Sequence, residues 1–226
     1  MSVDEWVLQE VRRRIIEWYR CCGEKDLPWR RTRNAWHILL AVFLLRLTRR
    51  ETVAKFYSKI LELFPDPQTL IRVGVDSVKD ALKPLGLYNV RAWQLIELAK
   101  KLVNEFGGAI PCDESKLKSL PGVGDYTASL LLLKLCSKPK PLLDTNTIRV
   151  LGRVFGLQTH KGNPYTDPQL YSAAMKLIGE DLIEAEEVNF GLMDLAHKIC
   201  TKKPQCNLCP LTDLCRYAKK QVQMLK

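Results

Sequence analysis

The stretch from Leu120 to Asp144, LPGVGDYTASLLLLKLCSKPKPLLD, is the one the rest of the chain is organised around. A Pro-Gly-Val-Gly turn opens an apolar run, a basic Pro-rich loop follows, and a single carboxylate precedes the next helical pattern. Gly122 and Gly124 admit positive φ and leave backbone N–H groups uncovered. A helix expected over 125–136 begins beside them, so the turn and the helix end together form a site for a phosphate. Lys116 and Lys118 fall on the short helical stretch just before it. Helix, Gly122-Val123-Gly124 turn and helix make a sequence-independent phosphate clamp. Taken alone, the turn also reads as an ordinary corner in which Gly ends one helix and opens the next.

The remaining apolar spacing is helical, and no stretch alternates as a strand does. A first helix is expected over 2–22, with Ser2 and Glu5 as a capping box, Leu8, Val11, Ile15 and Trp18 on one face, and Arg12, Arg13 and Arg14 mostly solvated. Pro28 predicts a turn. Further helices are expected over 35–47, buried all round, and over 51–64. Two short ones follow near 68–73 and 76–82, and a longer one over 89–106 with Trp93, Ile96, Leu102 and Phe106 inside. Asp144 stands where an N-cap would for a helix over 145–155. Asp167-Pro168 opens the next, and a last long helix over 185–199 delivers Cys200. This is an all-α pattern with short connections.

Composition narrows the function. At 226 residues the chain has room for one large domain or two lobes, and with 46% hydrophobic residues it is globular. The net charge of +10 favours a polyanionic partner, nucleic acid first, although solubility alone also explains it. No run reaches the ~18 apolar residues of a membrane span, and the charged start has no signal-peptide pattern, so an intracellular protein with no membrane partner is expected. Its eight cysteines then argue for thiols or a metal site rather than a disulfide scaffold. Cys200, Cys206, Cys209 and Cys215 are spaced C-x5-C-x2-C-x5-C. Four thiolates so close in sequence suit zinc or an iron–sulfur cluster, and a single C-x2-C pair with wide flanks fits a cubane better than paired zinc knuckles. Lys202, Lys203, Arg216, Lys219 and Lys220 surround that loop, offering a second backbone contact or offsetting cluster charge. Cys21, Cys22, Cys112 and Cys136 have no such pattern and read as small core or half-buried residues.

Four features in order, Leu27-Pro28-Trp29-Arg30, Leu120-Pro121-Gly122-Val123-Gly124, Leu143-Asp144 with Arg149-Val150, and the cysteine loop, resemble the helix-hairpin-helix DNA glycosylases of the endonuclease III and MutY superfamily. Tyr126 and the segment Asn189-Phe190-Gly191-Leu192-Met193-Asp194 are most similar to the archaeal thymine–guanine mismatch group. The resemblance implies a central helical lobe over 28–136 carrying the hairpin, and a second lobe from 1–27 and 137–226 with a [4Fe–4S] cluster on the loop 200–215. Asp144 would lie in the cleft between them. It also implies one copy of the chain acting on double-stranded DNA that holds a mismatch or a damaged base.

The same resemblance assigns roles. Asp144, which spacing alone makes a helix cap, becomes the carboxylate that stabilises positive charge on the sugar. Tyr126 stands where bifunctional relatives have a lysine, and a phenol cannot form a Schiff base, so a monofunctional glycosylase is expected. Val42 stands where adenine-removing relatives have a glutamate. Arg46 falls where the family inserts a side chain into the base stack, or it is a surface arginine at a helix end. The leading expectation is hydrolysis of mismatched thymine or uracil opposite guanine. An endonuclease III-like glycosylase and lyase for oxidised pyrimidines is disfavoured by Tyr126, and a MutY-like adenine glycosylase by Val42. A non-enzymatic iron–sulfur DNA-damage-binding protein is disfavoured by Asp144.

Overall fold

A computed structural model describes residues 3–157 and 162–224. In chain order the α-helices are α1 (Glu5–Cys22), α2 (Pro28–Arg31), α3 (Ala35–Leu45), α4 (Arg50–Leu63), α5 (Pro67–Leu82), α6 (Tyr88–Phe106), α7 (Glu114–Ser119), α8 (Asp125–Leu135), α9 (Thr145–Phe155), α10 (Pro168–Ile178), α11 (Leu182–Lys198) and α12 (Arg216–Met224). Among the described residues there is no strand, so the all-α expectation holds. No described helix is long and apolar enough to cross a membrane. Two compact units divide the chain: Lys25–Cys136, and Met1–Glu24 together with Ser137–Lys226.

The unit Lys25–Cys136 is built around α3 and α8. Trp36 and every residue from Ile38 to Leu44 are buried, which is why the α3 sequence carries no polar face. Asn34 caps it by accepting from the His37 amide at 3.1 Å. The polar atoms that enter this core are satisfied: Trp36 Nε1 donates to the Phe64 carbonyl at 2.9 Å, and the Tyr57 hydroxyl to the His37 carbonyl at 2.8 Å. Thr127 to Lys134 of α8 are buried, and Lys134 Nζ is accommodated by the Arg30 carbonyl at 2.7 Å. The expected pair of short helices is one element, α5, broken at Gly74 (φ 79°, ψ 167°).

Three expectations for this unit are corrected. Pro28 opens the short helix α2 rather than a turn, since proline at the first helical position gives up no hydrogen bond. Trp93 is 52% exposed, because α6 buries Ala92, Leu95 and Ile96 and turns the indole outward. Cys112 and Cys136 are joined as a disulfide that brackets α7 and α8.

In the other unit α1 packs on α11 through Leu8, Val11, Ile15 and Tyr19, so Tyr19 rather than Trp18 completes the buried face. Gly191 of α11 makes room: a Cβ there would meet Ile15 Cγ2 at 2.6 Å. Ser2 lies outside the described residues, and Asp4 caps α1 by accepting from the Val7 amide. Of the three arginines expected in solvent, two are anchors. Arg12 donates to the last carbonyls of α10, at 2.7 Å from Leu177 O and also to Lys176 O, where the helix dipole favours a cation. Arg14 pairs with Asp213 at 2.5 Å and donates to Pro210 O at 3.0 Å. Cys21 and Cys22 are exposed at the end of α1. Asn189, buried in α11, accepts from the Leu142 amide at 2.7 Å and donates to Lys140 O at 3.0 Å, pinning the Pro-rich loop that leads to Asp144.

Candidate active site and nucleic-acid interface

The hairpin lies in the unit Lys25–Cys136. Asp113 caps α7 through the Lys116 amide at 2.8 Å, and the chain turns by the bonds Leu120 N to Leu117 O and Val123 N to Leu120 O. Leu120 and Val123 are buried, so the turn is anchored by its apolar residues while Gly122 and Gly124 stay exposed. Gly122 has φ 75°, and a Cβ there would lie 2.8 Å from Phe43 Cζ. Glycine is therefore required twice over, by conformation and by space. Gly124 is the N-cap of α8 and has no side chain with which to cap that helix. Lys116 is exposed on α7. Lys118 is engaged by Glu114 at 2.8 Å and Asp125 at 2.5 Å, which raises its pKa through those two hydrogen bonds, Asp125 first.

Arg46 closes α3, and its guanidinium lies over the Phe43 ring, 3.9 Å from the centroid. Its Nη2 donates to the Gly122 carbonyl. Burial, then the nearby Arg91, lowers the Arg46 pKa. The structure thus brings Arg46 and the hairpin together. Tyr126 is half-buried on the first turn of α8, and Val42 is buried in α3.

In the other unit Asp144 is the N-cap of α9, as its position before the helical pattern indicates. Its Oδ1 accepts from the amides of Asn146 at 2.9 Å and Thr147 at 2.7 Å, and its own amide donates to Thr147 Oγ1 at 2.9 Å. The carboxylate is half-exposed yet held in one orientation. Its Oδ2 accepts only at 3.2 Å, from the Asn146 side chain. A chain of hydrogen bonds continues from there: Arg149 Nη1 donates to Asn146 Oδ1 at 3.1 Å, and Arg149 Nε to the Cys200 carbonyl at 2.9 Å. Sequence reasoning noted Arg149 only as part of a motif. Its reach to the cysteine loop has no signal in spacing, because the two are close only after α9 and α11 pack.

Cys200, Cys206, Cys209 and Cys215 carry free thiols and line one cavity, closed by apolar residues that include Val154 and Leu195. Cys200 and Cys215 are buried. Burial, and then the neighbouring cysteines, push the Cys209 thiol up to about 11 and raise that of Cys215. Arg153, unnoticed in the sequence, grips the loop: its Nη1 lies 3.3 Å from Cys200 Sγ and 2.6 Å from Thr201 O, and its guanidinium covers the Tyr217 ring. Lys202, Lys203, Arg216, Lys219 and Lys220 are all exposed around it. Among the described residues no three His, Cys, Asp or Glu side chains already stand in the arrangement of a finished metal site.

The profile of the HhH-GPD superfamily base excision DNA repair proteins matches residues 40–174. The chain belongs to that superfamily. It is 49% identical over 218 residues to a thymine-DNA glycosylase of Aeropyrum pernix, covering 96% of this chain and 98% of the relative. With a thymine/uracil-DNA glycosylase of Pyrobaculum aerophilum the identity is 48% over 214 residues, covering 94% and 93%. A solved structure described as a thermostable thymine-DNA glycosylase superposes with a TM-score of 0.87 at 30% identity, over 95% of this chain and 98% of that one.

Proposed function

We propose that the chain is a monofunctional DNA glycosylase of base excision repair, hydrolysing the N-glycosidic bond of thymine or uracil mispaired with guanine in double-stranded DNA. The observation that carries the reading is Asp144, an oriented carboxylate with one oxygen bound to two backbone amides and the other only loosely engaged. As the base leaves, positive charge develops on the sugar. A carboxylate about 4 Å away at an effective dielectric near 20 stabilises it by roughly 4 kcal/mol, about a thousandfold in rate. The same oxygen can take a proton from the water that adds to C1′. Thymine and uracil leave as stabilised anions, so an acid is not required, and Val42 offers none. Tyr126 has no amine to attack C1′, which argues against a lyase step. The names of the Aeropyrum and Pyrobaculum relatives support the choice of base.

The uncapped start of α8, the Gly122–Gly124 turn and Lys116 would hold a DNA phosphate, and one copy of the chain would suffice. The four cysteines would hold a [4Fe–4S] cluster. Four free thiols on one apolar cavity, with an Arg153 N–H beside Cys200 Sγ, fit a group bound by thiolates. That group would supply the cross-linking that orders the loop. Arg149 then passes that order to Asn146 and Asp144.

The test is base release from duplexes with a single G·T, G·U, G·A or thymine glycol site, read with and without hot alkali. Release from G·T and G·U, with strand breaks only after alkali, is expected. Cutting at thymine glycol without alkali, or release of adenine, would overturn the reading.

A further inference from the structure

A carboxylate that stabilises a sugar cation acts only as well as its position is set, and the segment that delivers Asp144 has few means of holding itself. After Cys136 the chain reads SKPKPLL up to Asp144, and Pro139 and Pro141 have no amide hydrogen to donate. Leu142 and Leu143 are nonetheless buried, at 1% and 4% exposure. The backbone polar groups beside them therefore need partners from elsewhere in the fold.

Side chains supply them. Asn189 of α11 holds the near end, through the Leu142 amide at 2.7 Å and Lys140 O at 3.0 Å. Thr147 Oγ1 of α9 holds the far end, donating to Leu142 O at 2.9 Å and accepting from the Asp144 amide at 2.9 Å. Between these grips stands Tyr165, from the 3-10 turn Pro164–Thr166 that precedes α10. Its hydroxyl accepts from the Leu143 amide at 2.9 Å and donates to Pro141 O at 3.2 Å. A hydroxyl can do both because one atom carries a proton and lone pairs. Tyr165 thus fixes the peptide plane that enters Leu143, and Thr147 the plane that leaves it. Since peptides are planar, Leu143 cannot swing and α9 starts in one place. Tyr165 is itself seated: its amide donates to Asn163 Oδ1 at 3.0 Å, and its ring lies 6.2 Å from that of Tyr171, centroid to centroid.

We propose that Tyr165 is a positioning residue for base release: with Asn189 and Thr147 it fixes the backbone from which Asp144 reaches the sugar, and it acts through that carboxylate rather than on the DNA. Packing accounts for the ring of Tyr165 but not for its hydroxyl, whose two bonds flank Leu142 and end one residue before Asp144. The inference rests on the role proposed for Asp144 above.

The experiment measures single-turnover thymine release from a G·T duplex, affinity for the same duplex made with a 2′-fluoroarabino thymidine that resists hydrolysis, and amide hydrogen exchange. Tyr165→Phe keeps the ring and removes the hydroxyl. It is expected to release thymine roughly tenfold to a hundredfold more slowly, the effect of a misplacement of about 1 Å, while binding the resistant duplex as the wild type does. Its Leu143 amide should lose protection from exchange. In the Asp144→Asn background Tyr165→Phe should slow release no further, because a positioning residue acts through the group it positions. Should Tyr165→Phe not fold, Asn189→Leu, which removes the neighbouring grip, carries the same test through the Leu142 amide. A full release rate in Tyr165→Phe, an additive loss in the double variant, or a loss of affinity as large as the loss of rate would overturn the positioning role. Amide exchange separates this from the proposed activity. Release by the wild type, with the Leu143 amide equally protected in Tyr165→Phe, sinks the clamp alone. No release by the wild type, with that amide unprotected only in Tyr165→Phe, sinks the glycosylase reading alone.

Discussion

Helices α8 and α9 have the same length, 11 residues, and begin in opposite ways. The start of α8 has no capping side chain: its N-cap is Gly124. The start of α9 is closed: Asp144 and Thr147 satisfy each other's backbone in a complete capping box. The difference teaches what each start is for. A helix start with no capping side chain suits an anion that arrives from outside. A capped start orients an anion that belongs to the protein. The acid on the first turn of α8, Asp125, is paired with Lys118.

The contrast can be broken at several points. The closed start is joined to the cysteine loop through Arg149 and Cys200, so under the proposed cluster Cys209→Ser should have the largest effect: loss of iron and visible absorbance, and of folded protein. Zinc in place of iron would correct the cofactor. The uncapped start depends on the staple that brackets it. Cys112→Ser, or a reductant, should cost about 3.5 kcal/mol by the loop-entropy estimate, read by denaturant unfolding. An unchanged midpoint would mean that Cys136 and Cys112 are not joined in solution. Gly122→Ala should cost about 1–2 kcal/mol, from its positive φ and the Phe43 contact, and should weaken binding to undamaged duplex. The mirror experiment caps the uncapped start. Gly124→Ser meets nothing within 4 Å and should stabilise the fold by about a few tenths of a kcal/mol while weakening DNA binding. Unaltered binding would show that the α8 amides do not meet phosphate.

Much of this was legible in the residues. A short polar residue before a helical period marks Asp144 as a cap, a Gly-x-Gly before an apolar run marks the hairpin, and Cys200 to Cys215 announce themselves by spacing. What escaped was partnership across the chain. Arg12, Arg91, Arg149 and Arg153 look like surface charges on helices. Each instead binds backbone carbonyls that only tertiary packing brings within reach. The Cys112–Cys136 pairing was hidden for the same reason, and the expectation of an intracellular chain argued against it. Lys118 counts as a phosphate contact by position, but Glu114 and Asp125 already hold it.

The most direct test is single-turnover thymine release from a G·T duplex by Asp144→Asn, alongside its unfolding midpoint. Asparagine caps a helix as well as aspartate does, whereas Asp144→Ala should also lose about 1 kcal/mol of stability. If the carboxylate does the chemistry, Asp144→Asn melts like the wild type and releases thymine about a thousandfold more slowly. Release at the wild-type rate would reduce Asp144 to a cap and place the catalytic group elsewhere.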